Sequence, residues 1–329
     1  QVDLWGQYSR ATEAARADLL ATESAYRAVT ITLVSEVAGS YLLLRDLDKR
    51  LEVSERTLKT RQDSLAIIQA RFDKGIVPEL DVYQAQIEVA VAETAIASFQ
   101  RQIVQTQNAL RILLGSNPGP VTRGDELTAQ MFPPAVPAGL PAELLQRRPD
   151  VVQAEANLMS ATATVGVAEA LRYPSISLTG TFGVESSDLS DLNSGDAETW
   201  GFGANLFAPI FNSGQLKAQA EATRERARQA MLFYESTLQQ SFREVEDALV
   251  AVRTYNVENK SQARRAAAAR NAAKLSRARY DGGVVDFLEV LDTERTLFNA
   301  ELAQSETLQL YYNAIVRLYA ALGGGWSVE

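Results

Sequence analysis

Proline marks where a chain cannot continue as helix, and here its distribution is lopsided. None occurs from Gln1 to Val77 or from Ile210 to Glu329, whereas Pro118, Pro120, Pro133, Pro134, Pro137 and Pro141 crowd one middle stretch. An interior proline costs a helix about 3 kcal/mol, so the two long gaps are where unbroken helix is possible. Between Gln7 and Phe72 the only glycine is Gly39. At about 1.5 Å per residue that helix would run on the order of 100 Å, a rod that no ordinary globular domain houses. Val37, Leu44, Leu51, Leu58, Leu65 and Phe72 recur at intervals of seven, with Val34, Tyr41 and Ile68 beside them, which marks a coiled-coil seam.

An internal repeat organises the rest. Gly75 lies in Arg71-Phe72-Asp73-Lys74-Gly75-Ile76-Val77 and Gly283 in Arg279-Tyr280-Asp281-Gly282-Gly283-Val284-Val285, 208 positions later. The same offset, without a gap, pairs Gly6 with Gly214, Glu13 with Glu221, Arg16 with Arg224, Glu36-Val37 with Glu244-Val245, Arg45 with Arg253, Glu93 with Glu301 and Leu114-Gly115 with Leu322-Gly323. The chain is therefore expected to be a duplicated long-helix hairpin. Each copy has a very long helix, a glycine-marked break and a second helix of about 35 to 40 residues that ends at Gly115 or Gly323.

Between the copies, Pro149 opens a helix expected to run to about Arg172. Alternation follows. Ile176, Leu178, Phe182 and Val184 oppose Ser175, Ser177, Thr179 and Thr181, and a second run sets Trp200, Phe202, Ala204, Leu206, Ala208 and Ile210 against Gly201, Gly203, Asn205 and Phe207. Two strands of about ten residues are the length that spans a bilayer at barrel tilt, with Tyr173 and Trp200 suited to the membrane interfaces. A hairpin lying on a soluble core would alternate in the same way. The loop between the strands, Glu185 to Glu198, is acidic. Moved back by 208, the hairpin of the first copy would fall before Gln1. Val2 to Trp5 is thus expected to be the tail of a barrel strand, and the chain an N-terminally truncated fragment.

Composition closes off other chemistry. With no Cys and no His there is no thiol nucleophile, Ser-His-Asp triad or disulfide, and no phosphate loop is present either, so an enzyme is not expected. A formal charge of −9 opposes nucleic-acid binding. No stretch approaches the roughly 18 consecutive apolar residues of a membrane helix.

Several motifs carry a family resemblance. They are Val136-Pro137-Ala138-Gly139-Leu140-Pro141, continuing through Leu144-Leu145-Gln146-Arg147-Arg148-Pro149-Asp150; Tyr173-Pro174-Ser175-Ile176-Ser177-Leu178-Thr179-Gly180; and Leu318-Tyr319-Ala320-Ala321-Leu322-Gly323-Gly324-Gly325-Trp326. The sequence resembles the TolC- and OprM-like outer-membrane efflux proteins of Gram-negative bacteria, in particular their lipoprotein branch, over essentially its whole length. The resemblance implies a homotrimer in which each protomer gives four strands to one shared twelve-stranded barrel and its helices to one periplasmic α-barrel. It also implies a periplasmic adaptor and an inner-membrane RND transporter as partners, with no cofactor and no metal. The implied fold is mainly α with a β-hairpin. Its parts are a strand remnant over 1–5, a first helical hairpin over 6–115, a proline-rich linker and equatorial helix over 116–172, a transmembrane hairpin over 173–212, a second helical hairpin over 213–323 and a tail over 324–329. The missing first hairpin and lipobox cysteine depart from the family pattern, so lipidation cannot be read from this chain.

Candidate site residues cluster at the two breaks. Glu289 and Asp292 share a helix face, and a threefold axis would gather six carboxylates around one constriction. Taken alone, such a pair is most often a solvated face; by resemblance it matches the acidic rings of the periplasmic gate. Tyr280 and Asp81 match a tyrosine and an acid that link neighbouring hairpins in the closed entrance, while Val285 stands where an arginine would contribute. Gly75, Ile76, Val77, Pro78, Gly282, Gly283 and Val284 are the expected adaptor contacts, although turn chemistry alone explains the glycines. The basic stretch Arg264, Arg265, Arg270, Lys274, Arg277 and Arg279 is taken as a solvated face without a role. The expected function is a passive, gated outer-membrane exit duct for drugs and small toxic compounds. A duct of the same fold for type I protein secretion or metal export is the alternative, the latter disfavoured by three Met and no His. A soluble structural coiled coil is the reading of another class.

Overall fold

The computed structural model describes residues 1–130, 147–191 and 198–324. Helix α1 (Gln7–Phe72) has 66 residues and α2 (Glu79–Leu113) 35. Helix α3 (Pro149–Ala170) is followed by strands β1 (Ser175–Val184) and β2 (Glu198–Phe207). Helix α4 (Gln215–Asp281) has 67 residues and α5 (Phe287–Ala321) 35. Both ends of α5 fall 208 positions after those of α2, as the ungapped repeat requires. Glycines with positive φ recur at the same spacing: Gly6 and Gly214, Gly75 and Gly283, Gly115 and Gly323.

The long helices stop where an L-residue cannot easily follow. Gly75 at φ +68° and Gly283 at φ +70° occupy the left-handed region. At the first break the Gly75 N–H donates to Phe72 O and the Ile76 N–H to Arg71 O; at the second, Gly283 donates to Tyr280 O and Val284 to Arg279 O. This pair of reverse bonds closes the last turn and turns the chain away.

By compactness the chain divides into two units that cut both long helices: residues 1–28 with 145–241, and residues 29–144 with 242–329. In the first unit β1 and β2 form an antiparallel hairpin, with Ser175 opposite Phe207 and Val184 opposite Glu198. Val2 adds an isolated bridge to Ile176, so the start of the chain does pair with β1. Trp5 stacks on Tyr173 and donates its indole N–H to Pro174 O at 2.8 Å.

In the second unit the heptad seam is filled as its spacing demands. Val37, Tyr41, Leu44 and Leu51 of α1 pack with Phe99, Ile103 and Leu110 of α2. Four of their counterparts 208 positions later, Val245, Leu249, Val252 and Leu318, share a cluster of the second copy. Farther along α1, Leu65, Ile68 and Phe72 enter a cluster that draws on both copies, with Val82, Ala85, Tyr280, Phe287, Val290 and Leu291. Leu58 is half-buried, while Val34 stays exposed and borders an apolar groove of α1 and α5. Although no long run is wholly apolar, α1 holds an 18-residue window of mean hydropathy 1.3. Between Ala28 and Leu44 its one charged residue is Glu36. Thr30, Ile31, Ala38 and Leu42 of this stretch line the groove opposite Tyr312, Ile315 and Val316, so part of its apolar surface faces α5.

Candidate functional site

At each hairpin tip one residue anchors and its neighbour projects. Val77 and Val285 pack against the shared cluster, while Ile76 and Val284 stand 67% and 69% exposed. Pro78 holds an extended conformation ahead of α2, and the Asp286 carboxylate caps α5 by accepting the Glu289 N–H at 3.2 Å. The expected adaptor contacts Gly75 to Pro78 and Gly282 to Val284 are therefore two similar exposed turns with an apolar residue at each crest.

The four expected gate residues take four different environments. Tyr280 is buried, its ring 5.6 Å from Phe287 and 4.8 Å from the Arg71 guanidinium, and its hydroxyl has no hydrogen-bond partner among the described residues. Asp81 is half-buried; burial and then the charge of Asp286 push its carboxyl above the usual range. A Tyr280–Asp81 hydrogen bond is thus absent within the chain, because the phenol is turned into the apolar cluster. Glu289 accepts from Arg279 Nη1 at 2.7 Å, across the tip of the second hairpin. Asp292 is exposed. Of the two carboxylates expected to form a ring, one is neutralised by its own chain.

That ion pair corrects the reading of the basic stretch as a face without a role. Arg279 holds Glu289, Arg277 donates to Ser64 Oγ at 2.8 Å, and Arg270 pairs at 2.7 Å with Glu301, whose other oxygen is held by Arg56. Lys274, Arg264 and Arg265 remain exposed, the two arginines bonding, among the described residues, to Ser261 and Gln262 one turn back. Three of the six basic residues, Arg270, Arg277 and Arg279, meet α1 or α5, which a charge count cannot reveal.

A buried triad above the tips went unpredicted. Arg61 of α1, 3% exposed, lies 2.8 Å from Glu88 of α2, also donates to the Glu88 carbonyl, and stacks over Phe298 at 5.1 Å. Arg295 of α5 donates to the second carboxylate oxygen of Glu88. One carboxylate thereby ties both copies together. Nearby, burial pushes the Glu294 carboxyl up against the pull of Arg277 and Arg61. A signal did exist: Arg61 follows Leu58 by three, the register in which Leu47 and Ile68 are buried. A charge at a seam position needs a partner.

The hairpin carries the second element of the site. Its register sets Ile176, Leu178, Gly180 and Phe182 opposite Leu206, Ala204, Phe202 and Trp200, so both apolar faces coincide. The reverse face presents Ser177, Thr179, Thr181, Asn205 and two glycines. The apolar face lies open, with Trp200 81% and Phe202 71% exposed. From Ser175 to Val184, β1 is about 30 Å of strand at 3.3 Å per residue, or about 23 Å along the normal at 40° tilt. This matches the roughly 25 Å apolar band of a membrane barrel. The motif from Val136 to Gln146, the tip of the acidic loop and Trp326 lie outside the described residues.

The sequence profile of the family described as outer membrane efflux protein matches residues 1–116 and 140–324. The chain is similar to the solvent efflux pump outer membrane protein SrpC of Pseudomonas putida, 39% identical over 330 residues covering 100% of this chain and 70% of that protein. It is similar to the cation efflux system protein CusC of Escherichia coli, 37% identical over 99% of this chain and 71% of that protein. Among solved structures it resembles the open state of the MtrE outer membrane channel of Neisseria gonorrhoeae, with a TM-score of 0.88 at 30% identity, covering 98% of this chain and 73% of the other.

Proposed function

Because the chain belongs to the outer membrane efflux protein family, an outer-membrane channel of an efflux pump with its helices in the periplasm, we propose that it acts as a homotrimeric, gated exit duct closed at its helical tips. The observation that carries this is the hairpin. Ten residues per strand, with every large apolar side chain but Phe207 on one exposed face and small polar residues on the other, suit one share of a barrel wall. Three protomers would supply the rest.

The tips form the constriction. Asp292 and Asp81 carry its negative charge, Glu289 is held by Arg279, and Tyr280 fixes the tip from within the apolar cluster. The exposed Ile76 and Val284 at the crests dock a periplasmic adaptor, which couples the duct to an inner-membrane transporter of the RND class. The cargo is small organic compounds. SrpC is named for solvents and CusC for cations, but three Met and no His give this chain few soft ligands for a metal cargo.

Bilayer conductance of the protein beside a Glu289→Ala, Asp292→Ala double variant tests the gate. Small, cation-preferring conductance that rises in the variant is expected. Equal conductance and selectivity would remove these carboxylates from the gate and leave the duct standing.

A further inference from the structure

We infer that the base of the hairpin carries a binding site for small aromatic cations, with Phe207 as its exposed wall and Asp3 as its charge. The inference deepens the reading of the chain as an exit duct for small organic compounds and rests on it.

Its ground is one side chain that breaks the alternation. Ser177, Thr179, Thr181, Gly201, Gly203 and Asn205 make up the reverse face of the hairpin, together with Ser175 at its base. Phe207 lies directly opposite Ser175, on that same face, and is 66% exposed. The strand period alone calls for a small polar residue there. A regular element that departs from its own pattern at one position is expected to do so at a functional site.

Phe207 does not stand alone. It lines a cavity of about 190 Å³ together with Leu4, Trp5, Tyr173, Ser175 and Pro209, all in the first unit. The rings of Trp5 and Tyr173 stack at 4.8 Å, and the indole N–H bonded to Pro174 O holds the stack in place. Val2, bridged to Ile176, fixes the segment that carries Trp5. An engineered cavity of about 150 Å³ lined by Leu, Ile and Phe takes up benzene, so one aromatic ring fits here. The stacked pair is set before a ligand arrives, which spares the cost of ordering it.

One charge selects among aromatic ligands. Asp3 lines the same cavity. Its carboxylate accepts from the N–H groups of Tyr8 and Ser9 and from Ser9 Oγ, and no Lys or Arg pairs with it among the described residues. Bonds from neutral donors orient the carboxylate and leave its charge. An anion beside aromatic rings suits a cation that also stacks, through Coulomb attraction and the ring quadrupoles together. The hydroxyls and glycines of the reverse face offer such a ligand neither charge nor apolar surface. It is therefore held at the base of the hairpin and released along the strands.

The probe is benzyltrimethylammonium, titrated into the full-length protein in nanodiscs of phosphatidylcholine and followed by saturation-transfer NMR. Strong transfer to its ring protons is expected. Phe207→Ser, which restores the polar pattern, should weaken binding about two- to fivefold, the share of one exposed cation–π contact, and Phe207→Tyr should retain it. Asp3→Asn keeps a side chain that can accept from the start of α1, so it should weaken the cation and leave neutral benzyl alcohol unaffected. Parent trimers that bind the probe no better than Phe207→Ser trimers would overturn the inference and leave the duct standing. Equal loss of both compounds in Asp3→Asn would overturn the role of the charge. A monomeric parent that does not conduct would overturn the duct reading and the inference with it. The chain has no cysteine, so Phe207→Cys and Phe202→Cys report alone. A charged methanethiosulfonate should modify the first and spare the second, and the reverse result would refute the placement of Phe207 on the inner face.

Discussion

Replacing Glu88 by glutamine should be the most damaging isosteric change in the periplasmic helices. The substitution keeps the shape but removes the one anion between Arg61 and Arg295. Arg295 is 43% exposed, so its share is about 0.5 kcal/mol. Arg61 is different: at 3% exposure its guanidinium loses both a 2.8 Å ion pair and the field that offsets burial, which already pulls it below its ordinary value. Stranding a buried charge costs about 3–5 kcal/mol. Glu294 also attracts Arg61, which places the expected loss near the lower end, about 3 kcal/mol. Guanidinium denaturation of the full-length protein in detergent, followed by helical circular dichroism, should show an earlier midpoint with an unchanged slope. An Arg61→Met, Glu88→Met double variant should recover to within about 1 kcal/mol of the parent, since an apolar pair needs no compensation. Because Arg295 lies three residues from Asp292 on α5, the single variant should also conduct more. A Glu88→Gln protein as stable as the parent, or a double variant worse than the single, would refute the view of the triad as a compensated buried charge.

Arg279→Ala should free Glu289 and add about one negative charge per protomer to the constriction, raising cation over anion selectivity in bilayer reversal potentials; unchanged selectivity would place the pair away from the ion path. On the hairpin, Phe202→Arg sits mid-strand on the apolar face and should cost about 2–4 kcal/mol, read as lost outer-membrane assembly, whereas Thr179→Arg on the reverse face should assemble normally. Equal effects would deny the two faces their lipid and lumen roles. Asp46 has its carboxyl pushed above the ordinary 3.8 by burial, against Arg50 and Ser305 and with Glu306 adding to the rise. A raised folded-state value means stability that is whole below the ordinary range and declines as pH rises through the folded value. Asp46→Asn lacks that decline, so its melting temperature relative to the parent should be higher at pH 7 than at pH 4. The gap should be of order 1.4 kcal/mol for each unit of displacement.

The length of the helices, their breaks and the duplication were legible because each is written locally. Proline and glycine punctuate the backbone whatever surrounds them, and a gapless repeat survives in sparse identities. The agreement of α2 and α5 at both ends, and of Gly75 with Gly283, rests on that local chemistry. The alternation of β1 and β2 was equally plain, but only pairing could show that their apolar faces coincide. Side-chain partnership was decided by the tertiary structure. Arg279 and Glu289 meet because a hairpin brings the end of α4 beside the start of α5. Arg61, Glu88 and Arg295 meet because three helices converge on one seam. Tyr280 turns its phenol into an apolar cluster built from both copies. Spacing along the chain orders residues on one helix face; which face meets which is fixed by packing, where burial makes every charge depend on a partner far away in sequence.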